Sequence, residues 1–276
     1  MNVGMSMSWT VVRLACISWI SPGLPGESRL ARSLVALLAA AVLPLLPAHA
    51  APLDLSTVES VAGWLTHYYE APQPKLVSRA ILVLSKEGAL QKEETAPVTF
   101  GFLAGILAKN KAIAPSLVKD LTALPDEEQK ILVLGIWYSG RPDTKKLLQG
   151  LLATMPANKD NVDNLLRGTP VLLTQIPLLQ GSWVVDGLWG NFMATGDAEP
   201  VKRIMAALPW ADLQVTSVEL SVGRAARWSL IAHAAQHPRV LAICRREVTK
   251  QPPEVAKALK EVIAEAEENR KKLAAP

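Results

Sequence analysis

"LWGNFMATGDAEPVKRIM", residues 188–205, carries two apolar stripes separated by the break "TGDAEP". Upstream of the break, Val184, Val185, Leu188, Trp189, Phe192 and Met193 recur at i, i+1, i+4, i+5, i+8 and i+9, the spacing of one wide helix face. Downstream, Val201, Ile204, Met205 and Leu208 follow at i, i+3, i+4 and i+7, a second helix. Within the break, Gly196 suits the left-handed residue that closes a helix and Asp197 can cap the next one. Glu199 favours the positive end of that helix, and Pro200 falls in its first turn, where the missing N–H is not needed. A Gly-Asp pair ahead of Lys202 and Arg203 could also hold a phosphate or a metal, but these structural duties account for it without a ligand.

The same construction recurs along the chain. Val58, Val61, Leu65 and Tyr68 precede "EAPQP", with Leu76, Val77, Ala80, Ile81 and Leu84 after it. Phe100, Leu103, Ala104 and Leu107 precede "AKNKA", with Ile113, Leu117, Leu121 and Leu124 beyond. Ile131, Leu134, Gly135 and Tyr138 lead to Gly140 and Pro142, then Leu147, Leu148, Leu151 and Leu152. Near the C-terminus "RAARWSLIAHAA" meets His237-Pro238, followed by Val240, Leu241, Cys244 and Val248. Turns near 72, 110, 141, 197 and 237 are spaced by about 38, 31, 56 and 40 residues, in the range of helix-pair arrays without a strict period. The expected fold is all-α, an irregular array of antiparallel helix pairs, α-solenoid-like or helical-repeat-like. The spaced Trp, Gly and Tyr of the tetratricopeptide pattern are missing, so the pattern points to helical-repeat architecture in general and to no named family.

The widest interval holds residues 157–182, where Asp163–Arg167 finish a helix at Gly168, Thr169-Pro170 can open a short one and Pro177 can end it. That stretch reads either as a ligand-facing insertion or as packed short helices. At the far end, Pro252 and Pro253 open a helix with the narrow stripe Val255, Leu259, Val262 and Ile263, and "EAEENRKK" is polar all round. This is the pattern of a terminal capping helix.

The N-terminal residues speak to compartment. Arg29 and Arg32 precede an apolar run from Leu34 to Pro47 and then Ala48-His49-Ala50, the order of a secretory signal with an A-x-A site. The run is nearer 14 residues than the roughly 20 that span a bilayer, and Pro44 and Pro47 break it. Cleavage is expected after Ala50, so that the mature chain begins at Ala51 in the periplasm. Arg13 stands where a lipoprotein signal needs Leu, which argues against lipidation at Cys16. Residues 1–50 are therefore read as an extension plus signal, and 51–276 as one α-helical domain.

Arg13, Arg29, Arg32 and Glu27 leave with the signal, so the formal charge of +4 falls by two. A near-neutral mature chain lacks the basic footprint of a nucleic-acid binder. Cys244 is left alone, so no intrachain disulfide can form and stability must come from the core.

Residue types that carry chemistry are few. His233 and His237 in "HAAQH" have the i, i+4 spacing of a helical metal pair, but Ala234 stands where a metalloprotease has Glu, and no third ligand is evident. Pro238 also pushes His237 out of helical geometry, so the pair reads as two histidines at a helix C-terminus favoured by the dipole. Ser116 and Lys119 match S-x-x-K without its companion motifs. Cys244 shares an apolar face with Leu241 and Val248, the place of a small buried hydrophobe. No catalytic, cofactor or metal site is assigned.

Of Trp64, Trp137, Trp183, Trp189, Trp210 and Trp228, several sit at stripe positions and are read as core, whereas Trp183 and Trp210 lie off or at the edge of their stripes and are the expected binding surface. The resulting expectation is a non-enzymatic exported module that binds a protein, peptide or envelope component, with no cofactor and no nucleic-acid partner, touching the membrane only through its signal. The alternatives are a membrane-tethered domain whose signal stays uncleaved and an envelope enzyme with an unrecognised site.

Overall fold

The structure is a computed structural model that describes residues 53–214 and 217–274. The expected signal, with Cys16, Ala48, Ala50 and Ala51, lies outside the described residues. Those residues hold twelve α-helices, short 3₁₀ turns and no strand, so the fold is all-α. The helices are α1 (Val58–Thr66), α2 (Val77–Lys86), α3 (Thr95–Lys109), α4 (Ala114–Leu121), α5 (Gln129–Trp137) and α6 (Thr144–Leu151). After these come α7 (Lys159–Arg167), α8 (Ser182–Thr195), α9 (Ala198–Met205), α10 (Val218–Gln236), α11 (Pro238–Glu247) and α12 (Pro253–Ala274). Among the described residues no helix is long and apolar enough to cross a membrane.

The turns fall where the sequence pattern puts them. Gly140 and Gly196 close their helices with φ of +67° and +64°, a conformation that costs glycine little and other residues more. Across the turns near 72, 141, 197 and 237 the joined helices pack on each other, while at 110 α4 packs instead on α2 and α5. Asp197 departs from expectation. It occupies the N-cap position of α9 in an extended conformation, yet its side chain accepts no capping bond. Its carboxylate turns to Lys109, 2.9 Å away at the end of α3, because that cation lies within reach of the exposed turn.

The centre of the molecule is a long-range pair. Helix α3 is buried on every side from Thr99 to Leu107, and α8 almost as completely from Val184 to Ala194. A helix apolar all round has no outer face and goes to the middle. The two run in the same direction: Phe100 meets Trp183 near their beginnings with ring centroids 5.9 Å apart, and Lys109 reaches Asp197 past their ends. Between these points they approach backbone to backbone. A Cβ on Gly101 would collide with the Gly187 carbonyl, one on Gly190 with the Val98 carbonyl, and one on Gly105 would sit 2.7 Å from Ala194 Cβ. Small residues are what allow such an approach, and each helix supplies them on the facing side.

Both helices have their C-terminal carbonyls covered by an arginine from a distant turn. Arg141 donates to Leu107 O at 3.0 Å and is itself held by a two-pronged pair with Asp143, while Arg239 donates to Gly196 O at 2.7 Å. Cations at helix C-termini satisfy orphan carbonyls and oppose the dipole.

Residues 157–182 form packed short elements. After α7, Leu173, Ile176 and Leu178 are buried by the 3₁₀ turns Leu173–Gln175 and Leu178–Gln180, and Arg203 of α9 donates to Ile176 O at 3.2 Å. The short helix begins at Leu173 rather than at Thr169-Pro170; it stops at Gln175, ahead of Pro177, and a second turn, Leu178–Gln180, follows that proline.

Candidate functional site

His67, His233 and His237, from opposite ends of the chain, come together at the C-terminal end of α8. His67 caps α1, and Tyr68–Glu70 continue as a 3₁₀ turn, so that His67 and Glu70 face each other with Nδ1 and Oε1 3.2 Å apart. His237 sits between α10 and α11 in an extended conformation, as Pro238 requires, and is fully buried. Its Nδ1 lies 3.1 Å from Tyr69 Oη, whereas its Nε2 is buried with no hydrogen-bond partner. One ligand atom each from His67, Glu70 and His237 lie within 4.8 Å of one another, with His67 and Glu70 exposed.

Aromatic rings back this cluster. Trp189 packs on His233 with centroids 4.1 Å apart, His233 on His237 at 5.6 Å, and Phe192 on Tyr69 at 5.0 Å. Tyr69 also lies against Gly196, where a Cβ would be 3.2 Å from both Tyr69 Cβ and Arg239 Nε. The "TGD" turn is thus a wall of the cluster through its glycine, not through Asp197.

This burial sets the protonation. Desolvation pushes His237 down to about 4 and His233 down to about 3, the neighbouring histidine adding to each shift, so both rings are neutral at physiological pH. The hydrogen bond from His67 holds the Glu70 carboxyl below the usual carboxylate range. Burial, and then Glu70, raise Tyr69. A neutral His237 imidazole beside an ionised Glu70 carboxylate has the protonation that ligates a cation.

The i, i+4 pair visible in "HAAQH" is therefore divided. His237 joins the cluster of possible ligands, while His233 packs on Trp189. The partners, His67 and Glu70, stand at the i, i+3 spacing within "HYYE" 170 and 167 residues away. That His-x-x-Glu, in a chain with so few histidines, was the available signal.

A second feature is a cleft of about 440 Å³ beside the start of α3, lined by Phe100, Leu134, Tyr138 and Trp183, with Glu93 and Lys130 among its walls. Trp183 is fixed there by donating from Nε1 to Gln180 O at 2.8 Å. Trp210 lies elsewhere, half-buried on the Leu208–Asp212 turn and pressed against Gly223 of α10. Trp228 is 46% exposed, because Arg224 and Trp228 share the outward face of α10.

The other residues considered have structural surroundings. Cys244 is buried, which pushes its thiol up to about 12 and keeps it protonated. Ser116 is exposed and donates to the O of Ile113, the residue that caps its helix, at 2.9 Å. Asp186 on α8 is raised to about 7 by desolvation and then by the charge of Glu94. Comparison with protein-family models, with curated proteins and with solved structures finds no match.

Proposed function

We propose that the chain is an exported, non-enzymatic helical protein of the periplasm that holds a peptide or protein partner of the envelope. The observation that supports this reading is the cleft at Trp183. Phe100, Leu134 and Tyr138 offer apolar surface there, Trp183 is locked by its hydrogen bond, and Glu93 and Lys130 add one charge of each sign. Rigid aromatic anchors in a depression, bordered by polar groups, are where binding energy concentrates at protein interfaces. A volume of about 440 Å³ takes a few side chains of a partner segment, and its walls come from the packed helices α3 and α5, with Trp183 from the start of α8. Export rests on the basic, apolar and A-x-A order of residues 29–50.

The test is a photo-crosslinking residue at position 183 of the chain produced in its native envelope, with position 228 as the exposed control. A discrete adduct at 183, absent at 228 and lost with Leu134→Glu, is expected. Equal adducts at both positions, or a Leu134→Glu chain that keeps the adduct, would overturn the cleft reading. Mass spectrometry of the same protein should find Ala51 as its first residue; retained residues 29–50 would remove the export reading.

A further inference from the structure

We propose that His67, Glu70 and His237 bind one divalent transition-metal ion of the zinc class. The inference stands on the cluster alone and is independent of the cleft and of export.

The donor set is the first argument. Two imidazoles and one carboxylate are ligands that Zn²⁺ takes at about 2.0–2.2 Å, and three protein ligands with one open position is the pattern of an accessible zinc site. The spacing is the second. Two ligands of a tetrahedral ion at those bond lengths lie roughly 3.3 Å apart. His67 Nδ1 and Glu70 Oε1 are already 3.2 Å apart. The third ligand atom is within 4.8 Å of both, so closing the set takes a shift on the order of an ångström. His67 and Glu70 are exposed and can make that shift by rotating about their side-chain bonds.

The third argument is an unsatisfied atom. A buried ring nitrogen without a partner carries a desolvation cost that the fold normally compensates. His237 Nε2 is such an atom, while Tyr69 Oη engages the other nitrogen. An ion at this nitrogen would complete the bonding of the ring, with Tyr69 at the other nitrogen as the outer partner that fixes its orientation, as metal-bound histidines ordinarily have. The nearby Arg239 guanidinium is directed at the Gly196 carbonyl. The open side of the site is the exposed side of His67 and Glu70, which leaves room for water or for a ligand atom brought by a partner.

The experiment titrates the untagged purified chain, stripped with chelator, with Zn²⁺ alone in a calorimeter. One equivalent should bind, and His67→Ala and Glu70→Gln should each weaken binding by at least about tenfold. Both variants should keep the metal-free melting temperature of the parent, since both side chains are exposed. His233→Gln should leave the affinity within twofold. Absence of saturable binding would overturn the proposal, as would binding that His67→Ala and Glu70→Gln leave unchanged. Loss of binding with His233→Gln in a chain that still melts like the parent would also contradict it, because the ion would then belong to the "HAAQH" pair.

Discussion

Helix α9 shows the interior one face, with Pro200, Val201, Ile204 and Met205 buried and Glu199 and Lys202 paired outside, whereas α3 is buried all round. The two are stabilised differently. A one-faced helix is held by a stripe of side chains and tolerates change elsewhere on its surface. The central pair has no spare face, and where glycine meets carbonyl it has no spare volume. The same substitution should therefore have opposite consequences in the two settings.

The largest effect is expected from placing methyl groups between α3 and α8. Overpacking a core costs about 1–3 kcal/mol where side chains can yield, and more where the obstacle is backbone. The double variant Gly101→Ala/Gly190→Ala meets the Gly187 and Val98 carbonyls and should lose cooperative melting while keeping most far-ultraviolet helical signal. A sharp melt near the parental temperature would show that the helices are not in backbone contact. Next in size is Trp189→Ala, which removes a ring 2% exposed and should cost about 3–5 kcal/mol by denaturant titration.

Asp186→Asn separates the pair's electrostatics from its packing. A carboxyl raised from 3.8 in the unfolded chain to about 7 in the folded one destabilises the fold increasingly as pH climbs through that window. The Asn variant should be the more stable protein above pH 7 and indistinguishable from the parent below pH 3.8 in thermal melts. At the periphery, Gly63 in α1 has open space where a Cβ would go, so Gly63→Ala should gain about 0.5–1 kcal/mol. Smallest is Asp197→Ala. The carboxylate caps nothing and its pair with Lys109 is about half exposed on both sides, so the loss should stay under about 1 kcal/mol.

These contrasts also mark what the sequence could convey. Helices such as α9 and α12 have a periodic stripe, and the Gly, Asp and Pro residues between stripes punctuate them, so their existence and turns could be read directly. The mate of α3 could not. Its apolar residues point in every direction and select no neighbour, and its match to α8 resides in glycines some 85 positions apart, which hydrophobic periodicity does not weigh. Helix-pair arrays join neighbours in sequence, and the parallel α3–α8 contact lies outside that logic. The histidine cluster was hidden for the same reason, since His67 reaches His237 only once α1 and the α10–α11 corner are brought to the end of α8. Trp183 at the cleft was foreseeable from its place off the stripe; Trp228 on the surface was not, because Leu220, Ala226, Leu230, Ile231 and Ala234 on its helix are all core.

The organisation of the fold around α3 and α8 is tested most directly by native-state amide hydrogen exchange followed by NMR. Amides that open only with global unfolding belong to the most stable unit of a protein. The slowest amides should be those of Leu103 to Leu107 in α3 and Leu188 to Phe192 in α8, all exchanging with the free energy of global unfolding. The polar end of α12, from Glu268 onward, should open at far lower cost. Central amides of α3 that open at lower free energy than those of α9 would contradict a fold built on this pair.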